Sequence, residues 1–170
     1  MRRWDGHPGT PTRRGGPEKR GDQALGWSRG GFGTKLHVRV ERGGKPIVYV
    51  LTGGERHEPI ALPALLESGA VKRPGPGRPR LRPDRLAGDK GYSSRTVRRY
   101  LHRRGIQVII PTRRGEFPNL EFDRAAYRER NRVERFINRL KQFRASATRY
   151  DKLAAVFHST ITLACILLWL

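Results

Sequence analysis

Alternation of apolar and polar positions predicts a β-hairpin in the first third of the chain. The apolar residues Leu36, Val38 and Val40 share one face of a strand, and polar residues occupy the other face. A glycine-containing turn at residues 41–45 leads to a second run, Pro46–Thr52. This run is apolar on both faces, so we expect it to lie inside a sheet and to pair with the first strand.

A strand, a helix and a second strand are predicted between residues 85 and 110. The strands are residues 85–88 and 106–110, and either Ser93 or Ser94 caps the helix between them. A connection of this length does not allow a tight hairpin, so the two strands should be parallel with a right-handed crossover.

Helical periodicity predicts three further helices, at residues 60–68, from Asp123 to about Arg144, and at residues 151–170. The last helix is nearly all apolar, but His158 and neighbouring hydroxyl residues interrupt it, so we expect it to cover a sheet and not to cross a membrane. Residues 26–33 are expected to form an irregular loop rich in glycine and aromatic residues. The order of elements predicts an α/β fold with one mixed sheet and flanking helices.

The charge of the chain indicates a polyanionic partner. It has 36 Lys and Arg against 15 Asp and Glu, a formal net charge of +21. Residues 72–104 hold 12 basic and 2 acidic residues, which points to a phosphate-binding surface. We expect residues 1–23 to be a disordered basic tail rich in Gly and Pro, residues 24–170 to form the domain, and residues 71–83 to be an internal Pro/Arg linker. A single Cys and the absence of a signal-peptide pattern at the start predict a cytoplasmic protein.

Two carboxylates are candidates for chemistry. Asp89 directly follows a strand, and functional groups collect at the carboxyl ends of strands in open α/β sheets. Glu134 shares a polar stripe of the long helix with Tyr127, Arg130 and Lys141. Two carboxylates meeting in a basic protein suit a Mg²⁺ or Mn²⁺ site for phosphoryl transfer. The alternatives are a turn or capping role for Asp89 and a solvated basic helix around Glu134.

A second group of residues is predicted to hold DNA phosphates. Lys90 follows Asp89, and Arg95, Arg98 and Arg99 lie on the helix after it, on faces that the apolar residues leave free. We expect these side chains to contact the backbone of DNA without reading its sequence.

A run of motifs in a fixed order resembles bacterial insertion-sequence DDE transposases. The spacing Tyr127-x2-Arg130-x3-Glu134-x6-Lys141 matches the signature around the catalytic Glu of those enzymes. The whole stretch from about Ala24 to Leu170 resembles the insertion-sequence-five family. The other matching stretches are Ala24–Lys35, Gly88–Tyr92, Ile110-Pro111, Val133–Arg135, Leu140-Lys141 and Ala147–Leu153.

The resemblance implies an RNase H-like catalytic domain that excises and inserts its own DNA element with two Mg²⁺ ions. It makes Asp89 the second catalytic Asp and Glu134 the catalytic Glu, both as metal ligands. It gives Tyr127, Arg130 and Lys141 roles in contacting DNA or positioning its ends.

One part of the family pattern has no counterpart here. The resemblance places a first catalytic Asp on a central strand upstream of the Ser28–Gly31 loop, where this sequence has only Asp5, Glu18 and Asp22. None of these lies in an apolar or β-branched run, and Gly and Pro surround Asp5. We therefore expect an amino-terminally truncated transposase that lacks its first, central strand and is inactive in strand transfer alone.

The sequence leaves other functions open. The chain could be a non-catalytic DNA-binding fragment that interferes with or regulates an intact transposase, or a ribosomal-type RNA-binding protein. Its expected partners are element-end and target DNA in the bacterial nucleoid. The sequence leaves open whether it forms a homo-oligomer.

Overall fold

The computed structural model of the chain describes residues 21–72, 74–116 and 122–170. Most of the tail predicted over residues 1–23 therefore lies outside the described residues. The described part contains five strands and six α-helices. Its strands form two sheets, one of three strands and one of two. The α/β class is confirmed, but the prediction of one mixed sheet is wrong for the described residues, because no described strand joins the two sheets.

The larger sheet is antiparallel, with the order β1-β2-β3. Its strands are β1 (Gly26–Ser28), β2 (Gly31–Val40) and β3 (Pro46–Gly53). The predicted hairpin is confirmed as β2 and β3. The prediction of an irregular loop at residues 26–33 is wrong, because β1 folds back on β2 through Gly31 at φ +104°, a backbone conformation that glycine adopts without strain.

Strand β3 lies at the edge of its described sheet, so its predicted internal position is wrong. It is apolar on both faces for a different reason, namely that helices cover both faces. On one face the Tyr49 hydroxyl lies 2.7 Å from the His158 carbonyl of the last helix. On the other, Ile47 and Val48 lie against the backbone at Gly69.

The smaller sheet confirms the predicted strand, helix and strand. Strands β4 (Arg85–Ala87) and β5 (Gln107–Ile109) are parallel, and helix α2 (Arg95–Arg103) connects them. Ser94 caps α2, since its hydroxyl accepts a hydrogen bond of 3.1 Å from the Val97 amide.

Five further helices complete the described fold. They are α1 (Leu62–Glu67), α3 (Arg124–Arg128), α4 (Asn131–Leu140), α5 (Arg144–Ala147) and α6 (Ala154–Trp169). Of these, α1, α4 and α6 contact the larger sheet, and α5 contacts α6. Helix α1 confirms the helix predicted at residues 60–68, and α6 confirms the last helix. No helix in the described ranges has the length and apolar character needed to cross a membrane.

The single long helix predicted from Asp123 to Arg144 is wrong. Asp123 does cap α3, accepting 2.8 Å from the Ala126 amide. The backbone then forms a 3-10-type turn, in which the amides of Glu129, Arg130 and Val133 donate hydrogen bonds to carbonyls three residues earlier. This turn separates α3 from α4.

Two apolar cores result. One lies between the larger sheet and the helices α4 and α6, with Leu36, Val38, Phe136, Ile137 and Phe157 buried in it. The other joins α1, α2 and β5, with Leu62, Leu66, Val97, Leu101 and Ile110. Successive residues of a strand point to opposite faces, so β2 contributes Leu36 and Val38 to one side and His37 and Arg39 to the other.

Candidate active site

Asp89 lies just past the carboxyl end of β4, as the sequence predicts. Its side chain accepts a 2.6 Å hydrogen bond from the Lys90 amide and caps a single 3-10 turn, Lys90–Tyr92. Gly88 before it packs against Ile110, which a Cβ atom at position 88 would approach to 3.2 Å. The carboxylate is therefore held by its backbone while remaining partly exposed.

Glu134 lies in α4 and forms an ion pair with Arg130. The Arg130 Nη2 and Glu134 Oε1 atoms are 2.7 Å apart, and 17% and 22% of their side chains are exposed. The Arg130 guanidinium lies over the Tyr127 ring, 5.3 Å from its centroid. The structure thus joins Tyr127, Arg130 and Glu134 in one row of contacts, although a turn separates Tyr127 from the helix of Glu134. Lys141 is exposed at the carboxyl end of α4.

A cavity of about 610 Å³ is lined by neighbours of both carboxylates, though not by Asp89 or Glu134 themselves. Gly88, next to Asp89, lines it on the side of β4, and Arg130, the partner of Glu134, lines it on the side of α4. Val38, Arg39 and Val40 of β2 also line it. We call this space the β2–β4 cavity.

A buried polar network lies beside the loop that carries Asp89. His37, which is 1% exposed, exchanges hydrogen bonds with the Tyr92 hydroxyl at 3.1 Å and the Thr52 hydroxyl at 2.9 Å. Lys35 donates to the Arg56 carbonyl and to Glu58, at 3.3 Å. Glu58 in turn contacts the backbone at Gly91, where an added Cβ would meet its side chain at 3.2 Å.

The electrostatics of this network follow from its burial. Burial and then the charge of Lys35 lower the pKa of His37 to about 4, so its ring is neutral at pH 7. Burial also raises the pKa of Tyr92, and the charges of Glu58 and Asp89 raise it further. Burial alone would raise the pKa of Glu58, but hydrogen bonds and Lys35 outweigh it and the pKa is lowered.

The loop after β5 clamps the turn that follows Asp89. Arg113 donates to the Lys90 carbonyl at 2.9 Å and to the Gly91 carbonyl at 2.7 Å. Glu116 accepts from Ser93 at 2.6 Å and from the Arg113 amide at 3.1 Å. These hydrogen bonds lower the pKa of the Glu116 carboxyl.

The basic residues predicted to hold DNA divide into two kinds. Lys90, Arg95 and Arg99 are exposed. Arg98 instead donates to the Ser93 hydroxyl at 2.9 Å and the Ile110 carbonyl at 3.0 Å. Its guanidinium is thus committed to holding α2 against β5, and Arg98 is the weaker candidate for a phosphate contact.

The buried network and the Arg113 clamp are not predicted by the sequence. The alternating pattern of β2 places Lys35, His37 and Arg39 on a polar face, yet all three are at most 8% exposed. The available signal was the next strand, whose apolar residues on both faces imply that both faces of the sheet are covered. No local pattern marks Arg113, because its partners are backbone carbonyls more than 20 residues away.

The donors present suit a divalent metal in type but not in number. Asp89 and Glu134 offer the carboxylate oxygens that Mg²⁺ and Mn²⁺ prefer. In the described ranges, however, no group of three or more His, Cys, Asp or Glu side chains could hold a metal ion. Asp89 and Glu134 therefore stay predicted metal ligands.

Comparison with known proteins identifies the family. The transposase DDE domain family matches residues 7–169 of the chain. The chain belongs to the DDE transposase family. Its match begins at residue 7, within the segment predicted to be a tail. The resemblance to bacterial insertion-sequence DDE transposases is confirmed, and such a domain implies DNA binding and dependence on a divalent metal.

Two curated relatives agree with this assignment. The chain is 30% identical over 157 residues to a putative transposase for insertion sequence element IS402 of Burkholderia cepacia, covering 92% of this chain and 71% of the relative. It is 26% identical over 140 residues to a putative transposase for insertion sequence element IS6501 of Brucella ovis, covering 81% of this chain and 98% of the relative. No solved structure matches the chain.

Proposed function

We propose that this DDE transposase domain binds the ends of its insertion sequence and the target DNA, and serves metal-dependent strand cleavage and transfer. The observation that carries the proposal is the β2–β4 cavity, which Gly88 beside Asp89 and Arg130 beside Glu134 line from different elements. Phosphoryl transfer needs carboxylates that hold Mg²⁺ or Mn²⁺ close to basic groups that hold the phosphates.

Each site residue has a role in this proposal. Asp89 and Glu134 act as metal ligands, and Arg130 orients Glu134 while the Tyr127 ring supports Arg130. Lys90, Arg95 and Arg99 hold the DNA backbone, and Lys141 does so at the far end of α4. These roles rest on the ion pair of 2.7 Å, the ring contact and the exposure of the four basic side chains.

The fold proposal is that the two described sheets are halves of an RNase H-like sheet, with a central strand between β2 and β4 that the described residues do not supply. By the same family resemblance, a complete metal site has three carboxylates, and this chain supplies two of them, Asp89 and Glu134. We propose that the 170-residue chain alone binds DNA but is inactive in strand transfer, acting in the bacterial cytoplasm on nucleoid DNA.

Metal binding by the two carboxylates is testable without turnover. We expect Mn²⁺, followed by its electron paramagnetic resonance signal, to bind the wild-type chain weakly, and Asp89→Asn and Glu134→Gln each to reduce that binding at least tenfold. Glu55→Gln is the matched control, because Glu55 is an exposed carboxylate on a loop beside β1 and β3. Equal Mn²⁺ binding by all four proteins would remove both residues from the metal site.

Activity is tested with a labelled DNA carrying the ends of the element. We expect salt-dependent binding without strand transfer in Mg²⁺ or Mn²⁺. Strand transfer that Glu134→Gln abolishes would contradict the proposed inactivity of the chain alone, while supporting the catalytic role of Glu134.

A second candidate function is regulatory. The lack of a three-ligand metal group among the described residues favours a chain that occupies element ends and interferes with an intact transposase. The discriminating measurement adds the chain to an active insertion-sequence transposase and its DNA. This function is favoured over catalysis if the chain inhibits the transposase, if replacing its exposed basic residues weakens the inhibition, and if Glu134→Gln leaves the inhibition unchanged.

A further inference from the structure

A basic loop rich in Pro and Gly connects α1 to β4. Val71 and Arg80 pair across it as an antiparallel bridge, with backbone hydrogen bonds of 2.8 and 2.7 Å that close the loop. The buried Arg39 fastens both of its stems, because the guanidinium donates to the Ser68 carbonyl on one side and to the Leu81 carbonyl on the other. The base of the loop is therefore held in place by the body of the chain.

The tip of this loop carries one side chain with hydrogen-bonding groups. Residues 74–79 read Pro-Gly-Pro-Gly-Arg-Pro, so that side chain is Arg78, and every residue of the tip is exposed. Gly75 and Gly77 have φ angles of +96° and +132°, and a Cβ added at either position would have no neighbouring group within 4 Å beyond the adjacent residues. The tip is therefore a thin strip of backbone that projects into solvent and presents Arg78.

The surroundings of the tip are uniformly basic. Residues 68–83 include five Lys or Arg and no Asp or Glu. Arg80 is committed within the chain, since it forms an ion pair with Asp84 and donates to the Arg82 carbonyl at 2.7 Å. Arg78, by contrast, is exposed and has no acidic residue within five positions on either side. A surface of this kind attracts a polyanion.

The shape of the tip favours one polyanionic surface, the minor groove of a DNA duplex. That groove is about 6 Å wide, which is too narrow for an α-helix but accommodates a strip of backbone without bulky side chains. The groove is narrowest and its potential is most negative over A·T-rich runs, where Arg side chains insert. In a G·C pair the amino group of guanine adds a hydrogen-bond donor to the groove, which repels a cationic donor such as Arg78.

We propose that residues 74–79 are a binding site for the minor groove of A·T-rich duplex DNA, with Arg78 inserted between the two sugar-phosphate backbones. Lys72 and Arg82, which are exposed on either side of the tip, contact the flanking phosphates. The inference rests on the DNA-binding part of the proposed function and deepens it, because phosphate contacts from α2 do not distinguish sequences, whereas this site distinguishes A·T from G·C pairs.

The direct test measures, by fluorescence anisotropy, the binding of the full chain to three duplexes of equal length at one salt concentration in EDTA. Their central base pairs are AAATTT, GGGCCC or IIICCC, where inosine (I) lacks the 2-amino group of guanine. Inosine therefore changes the minor-groove edge of the pair and leaves its major-groove edge unchanged. We expect the A·T and I·C duplexes to bind about fivefold more tightly than the G·C duplex. Equal binding of all three, or an I·C duplex that binds as weakly as the G·C duplex, would overturn the proposal.

Arg78→Ala tests the residue assigned to the groove. This variant should reduce the preference for A·T over G·C to less than about twofold, and its urea midpoint should match that of the wild type because the tip projects into solvent. The control is Arg99→Ala, which removes an exposed side chain of α2 and should weaken all three duplexes by the same factor. Equal weakening of the three duplexes by Arg78→Ala would make Arg78 a phosphate contact and overturn the proposal, as would a preference that this variant keeps.

Failure of this inference and failure of the proposed function give different results. A preference that Arg78→Ala removes would stand even if Mn²⁺ binding or strand transfer were absent, because the measurement contains no divalent metal. Equal affinity for the three duplexes would overturn the inference and leave DNA binding and catalysis unaffected. A chain that binds none of the duplexes would overturn both.

Discussion

At the residue scale, the buried charged and titratable side chains are expected to have the largest effects on stability. His37 and Arg39 project from the same face of β2, are 1% and 8% exposed, and reach partners far away in sequence. Burial lowers the pKa of His37, and hydrogen bonds to three backbone carbonyls fix the position of the Arg39 guanidinium. Their energetic effects should therefore exceed those of similar residues on the surface.

His37 makes the stability of the chain depend on pH. Its pKa is lowered to about 4 in the folded chain and is about 6.5 in an unfolded one. The unfolded chain therefore binds the proton first, and stability falls as the pH drops through this window. We expect the free energy of unfolding to be about 2 kcal/mol lower at about pH 5 than at about pH 7.5 from this residue alone.

Urea unfolding at a series of pH values measures this effect. His37→Gln should lose that part of the pH dependence, whereas His102→Gln, a change at an exposed residue of α2, should keep it. Identical pH profiles for wild type and His37→Gln would contradict the assignment.

Arg39 fastens the end of α1 to β2. Its guanidinium donates to the carbonyls of Ser68 at 2.9 Å, Gly69 at 2.5 Å and Leu81 at 3.3 Å. Arg39→Met leaves these carbonyls without their donor, and we expect a loss of about 3 kcal/mol in the free energy of unfolding. The exposed Arg99→Met should change it by less than about 0.5 kcal/mol. Similar urea midpoints for the two variants would show that Arg39 is not a structural residue.

At the element scale, the ends of helices decide how the layers meet. Two of these ends have glycines in the left-handed region, Gly69 after α1 at φ +71° and Gly105 after α2 at φ +67°. Their backbone conformations are alike, but their surroundings differ. They form a matched pair that separates backbone strain from packing.

We expect Gly69→Ala to destabilise the chain much more than Gly105→Ala. A Cβ at Gly69 would lie 2.7 Å from Ile47 Cγ2 and 3.0 Å from Val48 Cβ, whereas a Cβ at Gly105 meets nothing within 4 Å. The change at Gly105 should cost about 1 kcal/mol, from the left-handed backbone alone, and the change at Gly69 at least about 3 kcal/mol. Chemical denaturation of both variants measures the difference, and equal losses would mean that α1 is not packed tightly on β3.

The break between α3 and α4 shows why helical periodicity overextended one element. Asp123 caps α3 and the polar stripe continues to Lys141, so the sequence predicts one helix. Bonds to carbonyls three residues back at Glu129 and Arg130 tighten the chain there, and α4 then packs Phe136 and Ile137 against β2. Tertiary packing on the sheet overrides local propensity at this turn.

At the scale of the whole molecule, the net charge is +21, but only basic side chains without partners inside the chain are available to contact DNA phosphates. Salt dependence separates free from committed cations, because each phosphate contact changes the slope of log K against log salt concentration by about 0.9. We expect Arg95→Ala and Arg99→Ala each to reduce the magnitude of this slope by about 1 without lowering stability.

Arg98→Ala should behave differently on the same helix. Its side chain bonds to Ser93 and Ile110 within the chain, so the variant should lower the free energy of unfolding by about 1–3 kcal/mol and leave the salt slope unchanged. Filter-binding titrations at several salt concentrations, paired with urea unfolding, report both quantities. Unchanged slopes for Arg95→Ala and Arg99→Ala would place the DNA on another surface.

The sequence by itself determined most of the local elements and the family. Strand alternation, a cap at Ser93 or Ser94 and the motifs around Asp89 and Glu134 depend on neighbours in the chain, and the hairpin, the parallel pair and membership of the DDE transposases are confirmed. The roles of individual site residues stay predictions.

Only the tertiary structure decided how these elements meet. It buried Lys35, His37 and Arg39, paired Arg98 with Ser93 and the Ile110 carbonyl, and separated the described strands into two sheets. These outcomes depend on contacts between residues far apart in sequence, and the pattern of one strand does not show whether another layer covers its polar face. The charge was evident from composition, but burial decided which cations are exposed and which are held inside the chain.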